Sequence, residues 1–87
     1  MNDAACFFHS SEPLTLSCGK SLLSFDLCFE SFGTLNADGS NAILVCHALS
    51  GDSHVTRHHP DDKEGWWEAL IGPGKALDTD RYFIVCS

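Results

Sequence analysis

His47, Ala48, Leu49, Ser50, Gly51 and Asp52 follow directly on an apolar run, Ile43 to Cys46. A run without polar interruption is what a strand buried on both faces requires, and the small and polar residues after it force a turn. In open α/β sheets ligands bind beyond the carboxyl ends of the strands. A loop in that place can aim backbone N–H groups at a reacting carbonyl, so its candidate chemistry is stabilisation of an oxyanion. Ser50 invites comparison with a nucleophile elbow, but Gly-x-Ser-x-Gly needs a glycine two residues away on each side. Ala48 and Asp52 stand there, so Ser50 is read as structural. His47, at the strand end, is read as holding the loop in preference to serving as a base.

A second group of chemistry-bearing residues lies just beyond. His54, His58 and His59 stand among Asp52, Asp61 and Asp62, and i, i+4 spacing would bring His54 and His58 together on a helix. Zinc hydrolases use such spacing with a glutamate beside the first histidine or with His-x-His and Asp-His pairs. Neither pattern is present, so a solvated polar loop is preferred to a metal site; a non-enzymatic metal-binding module on these histidines is kept as the alternative of another class. Trp66 and Trp67 are read as one ring in the core and one partly exposed. Ile71-Gly72-Pro73-Gly74-Lys75 lacks the spacing of a phosphate-binding loop.

These residues need elements to position them. Residues 1–12 lack periodicity and are expected to form a loose arm, with residues 13–87 as the folded part. Leu14 to Leu16 predicts a short strand and Ser17 to Lys20 a turn. From Ser21 to Phe32, Leu23, Phe25, Leu27 and Phe29 alternate with Asp26 and Glu30, which predicts a strand with one exposed face and, with the first, an antiparallel hairpin at one edge. Gly33 to Asn41 is a turn-rich link broken at Asp38-Gly39. The strand Ala42–His47 follows, then a long polar loop, a short helix from Trp66 to Ile71 stopped by Gly72-Pro73-Gly74, and a second buried strand at Tyr82 to Cys86. The two continuous apolar strands are expected to pair in parallel. The pattern is that of a mixed α/β sheet whose inner strands need helices on both faces. Almost no helix is present in the sequence to cover them, so the expectation is the amino-terminal part of a longer protein.

A chain of 87 residues buries only about 60% of its unfolded surface, which makes a self-sufficient core marginal. The net charge of −7 argues against nucleic acid, whose phosphates demand a basic face. Five cysteines without a C-x-x-C pair point to a reducing compartment and not to a disulfide framework or zinc knuckle; Cys28, Cys46 and Cys86 are read as small hydrophobes inside apolar runs. With an acidic start and no apolar run of membrane length, a cytoplasmic protein without membrane contact is expected.

The stretch NAILVCHALSGDSHV, followed by GWW, IGPGK and DTDRYF in that order, resembles the homoserine O-acyltransferases, as does the earlier FESFGTLNADGSNA. The likeness runs from about Leu14 to Ser87. It implies an α/β-hydrolase fold, incomplete here and ending before the nucleophile elbow, and transfer of an acyl group from acyl-coenzyme A through a serine–histidine–aspartate triad to the hydroxyl of L-homoserine, a step of methionine biosynthesis. Acetyl-CoA is the favoured donor and succinyl-CoA the alternative; serine O-acyltransferases and ester hydrolases of the same fold are the nearest other enzymes. By the same resemblance the backbone N–H of Leu49 is one of two oxyanion donors, the triad lies beyond this sequence, no cofactor is held, the whole protein is a homodimer, and these residues alone are inactive. The sequence departs from the family at Thr56-Arg57, where small residues such as Ala-Gly are usual.

Overall fold

Glycine, proline and asparagine punctuate this chain so often that its strands are short. The computed structural model describes residues 5–87 and contains six of them: β1 (Cys6–Ser10), β2 (Leu14–Thr15), β3 (Ser21–Leu22), β4 (Phe25–Phe32), β5 (Ala42–Val45) and β6 (Phe83–Cys86). Four form one sheet in the order β1-β4-β6-β5, and β2 and β3 form a separate two-stranded sheet. β4 is long enough to serve two partners. Its first five residues pair antiparallel with β1 (Ser10 opposite Phe25, Cys6 opposite Phe29), and its last three pair antiparallel with β6 (Glu30 opposite Cys86, Phe32 opposite Ile84). β5 lies parallel to β6, Ala42 opposite Phe83 and Val45 opposite Cys86.

The parallel pairing of the two apolar runs is as expected; three other features are not. Residues 6–10 belong to the predicted loose arm and are instead the edge strand β1. Cross-strand pairing overrides the missing periodicity, and His9 Nδ1 lies 2.6 Å from Asp26 Oδ1 at directly opposed positions. The predicted hairpin from Leu14 to Phe32 is split: β2 and β3 close on each other through a turn in which Leu16 N–H donates to the Lys20 carbonyl, while β4 enters the main sheet. The sheet face that was to be polar is also the inner one. Glu30 and Phe32 are 2% and 5% exposed, whereas Leu27 is 46% exposed, because the loop after β5 packs on the Glu30 side of the pleat and satisfies its carboxylate.

Gly33 ends β4 at φ +86°, and a Cβ there would sit 2.3 Å from the Tyr82 carbonyl oxygen. Only glycine combines that dihedral with so close an approach. Asn41 then sets the start of both parallel strands. Its side-chain amide donates to the Thr34 and Arg81 carbonyls, each at 3.0 Å, and its own carbonyl accepts from Phe83 N–H.

The core joins Phe32, Val45, Val55, Ile71, Ile84 and Cys86, with Ile43, Leu70, Leu77 and Tyr82 packed against it. β5 is covered on one face only: Val45 is buried but Leu44 is 69% exposed, so the expectation of burial on both faces fails among the described residues. The crossover from β5 to β6, residues 46–82, contains no helix. Trp66 to Leu70 forms turns where a helix was predicted, with the Trp66 and Trp67 N–H groups on the His54 and Val55 carbonyls. The segment leaves by Gly72 after the Trp67 carbonyl has accepted from Leu70 N–H at 3.0 Å and Ile71 N–H at 3.2 Å. Trp66 and Trp67 stack on each other at 5.4 Å and are exposed to similar extents; neither ring is a core residue.

Candidate functional site

The loop that leaves the carboxyl end of β5 is tightly held. Gly51 N–H donates to the Ala48 carbonyl at 2.8 Å, closing a turn over Leu49 and Ser50. His47 Nδ1 lies 2.6 Å from the same carbonyl, which is the holding role expected of it. Gly51 is needed for that contact, since a Cβ there would meet the His47 Cβ at 2.8 Å. Beyond the turn, the Asp52 carbonyl accepts from the Trp66 indole at 2.8 Å and weakly from the Cys86 thiol at 3.7 Å. The Asp52 carboxylate caps His54 N–H. Leu49 stands at the apex with its side chain fully in solvent and Ser50 is exposed beside it.

The histidine group resolves differently from its sequence spacing. His59 is exposed and takes no part, while His54 and His58 converge on Glu30. Glu30 Oε1 lies 2.8 Å from His54 Nδ1 and 2.9 Å from His58 Nε2, and its Oε2 accepts from the Ser53 hydroxyl at 2.5 Å. The outer nitrogen of His54 faces the Lys63 carbonyl at 2.7 Å. His58 is stacked on Phe32 at 4.3 Å, with its backbone N–H on Asp62. Burial pushes the Glu30 carboxyl up, but hydrogen bonds from Ser53, His54 and His58 outweigh it and hold the group below the ordinary carboxylate range. Burial likewise favours neutral His54, but the Glu30 carboxylate and the Lys63 carbonyl outweigh it and raise the ring above its ordinary value. Glu30 escaped the sequence reading because it was placed on the solvent face of β4. The signal was there in Phe32, two residues on, an aromatic on the same side of the pleat.

A third cluster accounts for Thr56-Arg57. Glu68 Oε1 accepts from the backbone N–H groups of Gly65 and Arg57, and Oε2 from the Arg57 Nε–H. The buried Thr56 hydroxyl lies 3.0 Å from Glu68 Oε2 and 2.8 Å from the Ile71 carbonyl. Arg57 also pairs with Glu64 at 3.1 Å, and Lys75 donates to the Glu68 carbonyl. The two residues that depart from the family pattern thus brace the crossover. IGPGK does the same, its turn placing Lys75 on Glu68. Of the three cysteines read as small hydrophobes, Cys28 and Cys46 are exposed and only Cys86 is buried, where burial pushes its thiol up.

An antiparallel flank leading into a parallel pair, with a braced turn at the carboxyl end of β5, defines a type of sheet found in solved structures. The crystal structure of esterase E22 superposes with a TM-score of 0.83 and 37% identity, over 94% of this chain and 23% of that one. That of homoserine O-acetyltransferase from Bacillus anthracis superposes at 0.82 and 39%, over 94% of this chain and 22% of that one. The sheet is part of an α/β-hydrolase fold. A homoserine O-succinyltransferase of Alkalilimnicola ehrlichii is 56% identical over 80 residues, covering 90% of this chain and 21% of the relative. A homoserine O-acetyltransferase of Methanosphaerula palustris is 57% identical over 81 residues, covering 92% of this chain and 16% of the relative. Over this stretch the chain is similar to homoserine O-acyltransferases, and it spans about a fifth of the length of the curated relatives it matches. No family model matches.

Proposed function

We propose that the protein containing this chain transfers an acyl group, acetyl as the favoured case, from acyl-CoA to the hydroxyl of L-homoserine. The observation that carries this is the identity of 56–57% to enzymes of that name over 80 residues or more, a span that includes the turn at His47 to Gly51. In this reading a serine elsewhere in the protein attacks the thioester carbonyl and CoA leaves as the thiol. The homoserine oxygen then attacks the acyl-serine, giving O-acyl-homoserine and restoring the serine hydroxyl. The N–H of Leu49 is assigned as one donor to the oxyanion that forms at each attack. The braced turn supports that role, since a donor fixed before reaction costs no reorganisation during it. The protein is taken to act as a cytoplasmic homodimer with acyl-CoA as co-substrate and no cofactor taking part in the transfer. No helix among the described residues is long and apolar enough to cross a membrane.

Relatives of both donor names match equally well, so the experiment offers both. Full-length protein is assayed for CoA thiol release from acetyl-CoA and succinyl-CoA, with and without L-homoserine. Homoserine-dependent release with acetyl-CoA is the expected result. Release with succinyl-CoA alone overturns the donor, release with L-serine but not homoserine overturns the acceptor, and hydrolysis of simple esters without transfer places the protein with the esterases.

A further inference from the structure

We propose that Glu30, His54 and His58 form a binding site for a divalent transition-metal ion, Zn²⁺ by the donor set, that fastens the loop after β5 to strand β4. One carboxylate oxygen and one nitrogen from each imidazole lie within 4.8 Å of one another. Two nitrogens and a carboxylate oxygen are a standard zinc ligand set, with bonds of about 2.0–2.2 Å and a further position for water. The edges of such a tetrahedron are about 3.3 Å long. The Glu30 oxygen stands 2.8 and 2.9 Å from the two nitrogens, so these two edges open by about half an ångström on coordination, and the two nitrogens already lie within 4.8 Å of each other.

The surroundings favour a cation. A ligating histidine characteristically gives its other ring N–H to a carbonyl or carboxylate, which fixes the tautomer. His54 Nε2 faces the Lys63 carbonyl at 2.7 Å, with Asp62 Oδ2 at 3.7 Å. An N–H donated there leaves the Nδ1 lone pair aimed at Glu30 Oε1, and two electron-rich atoms 2.8 Å apart need positive charge between them. A second ring proton supplies it in one way and a metal ion in another, so the two compete for the same atoms. The ligands are also fixed beforehand: Glu30 by its register with Cys86 in the sheet, and His58 by its stacking on Phe32. The side chains of Glu30, His54 and His58 are 3%, 12% and 18% exposed, which limits competition from water.

The test is calorimetric titration of ZnCl₂ into chelator-stripped full-length protein at neutral pH, together with Co²⁺ substitution. The inference expects one Zn²⁺ per chain with micromolar affinity or tighter, visible absorption bands of four-coordinate Co²⁺, and a raised melting temperature with Zn²⁺. His58→Gln is expected to weaken binding about tenfold or more, and His59→Gln, outside the cluster, to leave it unchanged. Because His58→Gln also removes the stacking on Phe32, ¹H–¹⁵N spectra of the wild-type rings provide an independent readout: His54 and His58 signals shift with one equivalent of Zn²⁺. Absence of saturable binding below the millimolar range, or binding that His58→Gln leaves intact in a folded protein, overturns the site and identifies the cluster as a proton-shared ion pair. Neither result bears on the acyltransferase reading, which the CoA assay decides separately.

Discussion

Glu68 shows how a single side chain can hold a crossover that has no helix. Its carboxylate collects the Gly65 and Arg57 backbone N–H groups, the Arg57 guanidinium and the neighbourhood of Lys75. Burial pushes this carboxyl up, but the N–H of Gly65, the Thr56 hydroxyl and Arg57 outweigh it and hold it below its ordinary value of 4.5. A carboxylate held low in the folded chain contributes stability that is complete above pH 4.5 and is lost as pH falls through the lowered value. Glu68→Gln is therefore expected to cost about 1–3 kcal/mol near neutrality, where it leaves charged or backbone donors short of a partner. Thermal melts of variant and wild type should converge once the acid limb is passed; a gap independent of pH would show that the carboxylate's charge is not what matters. None of this was legible in the sequence. Thr56, Arg57 and Glu68 are separated by turns whose geometry depends on the Gly65 contact with the Val55 backbone, where a Cβ would approach to 2.1 Å.

At the scale of elements, composition succeeded where burial is symmetrical in sequence and failed where partners are remote. Ile43 to Cys46 and Phe83 to Cys86 announced themselves as strands, and their continuous apolar character predicted the parallel pairing, but β5 lies at the edge of the described sheet and not inside it. β1 did not, because Cys6 to Ser10 has no alternation and owes its conformation to β4. The predicted helix at Trp66 shrank to a turn because Gly72-Pro73-Gly74 ends the segment after one turn, closed by the Leu70 and Ile71 N–H groups on the Trp67 carbonyl. The junction between β4 and the Tyr82 backbone is the most constrained element boundary. Gly33→Ala is expected to be severely destabilising. The left-handed φ alone costs about 1 kcal/mol or more for a residue with a Cβ, and the added atom collides with the Tyr82 and Thr79 carbonyls. Hydrogen exchange should locate the loss at β4–β6 pairing. Faster exchange confined to β2 and β3 would contradict this account.

For the molecule as a whole, the described surface is unusually apolar on the side away from the core. Phe8, Leu27 and Leu44 share the outer face by their register and are each at least 46% exposed, and inner strands of α/β sheets are normally covered on both faces. The 87-residue chain on its own is therefore expected to bind a dye for apolar surface and to aggregate, whereas the full-length protein should do neither. It is also expected to release no CoA in the homoserine assay, because it contains no Gly-x-Ser-x-Gly elbow, on which serine enzymes of the α/β-hydrolase fold carry their nucleophile. Turnover by the short chain at an ordinary enzymatic rate would refute the assignment of catalysis to residues outside it. The family was legible in the sequence because its motifs are local. The convergence of Glu30 with His54 and His58 was not, because it depends on which face of β4 the loop covers.

Asn41 carries a consequence for the uniqueness of the sheet. Strands with alternating polarity reject a one-residue slip because it would turn their polar side chains inward. Ile43 to Cys46 and Tyr82 to Cys86 have no such alternation, so the apolar pattern alone allows β5 to pair with β6 in more than one alignment. The two hydrogen bonds from the Asn41 side chain, to carbonyls at positions 34 and 81, are directional and form in one alignment only. A single amide thus resolves an ambiguity that the hydrophobic effect leaves open. Asn41→Leu should yield a chain that still collapses but shows more than one set of amide resonances for β5 and β6.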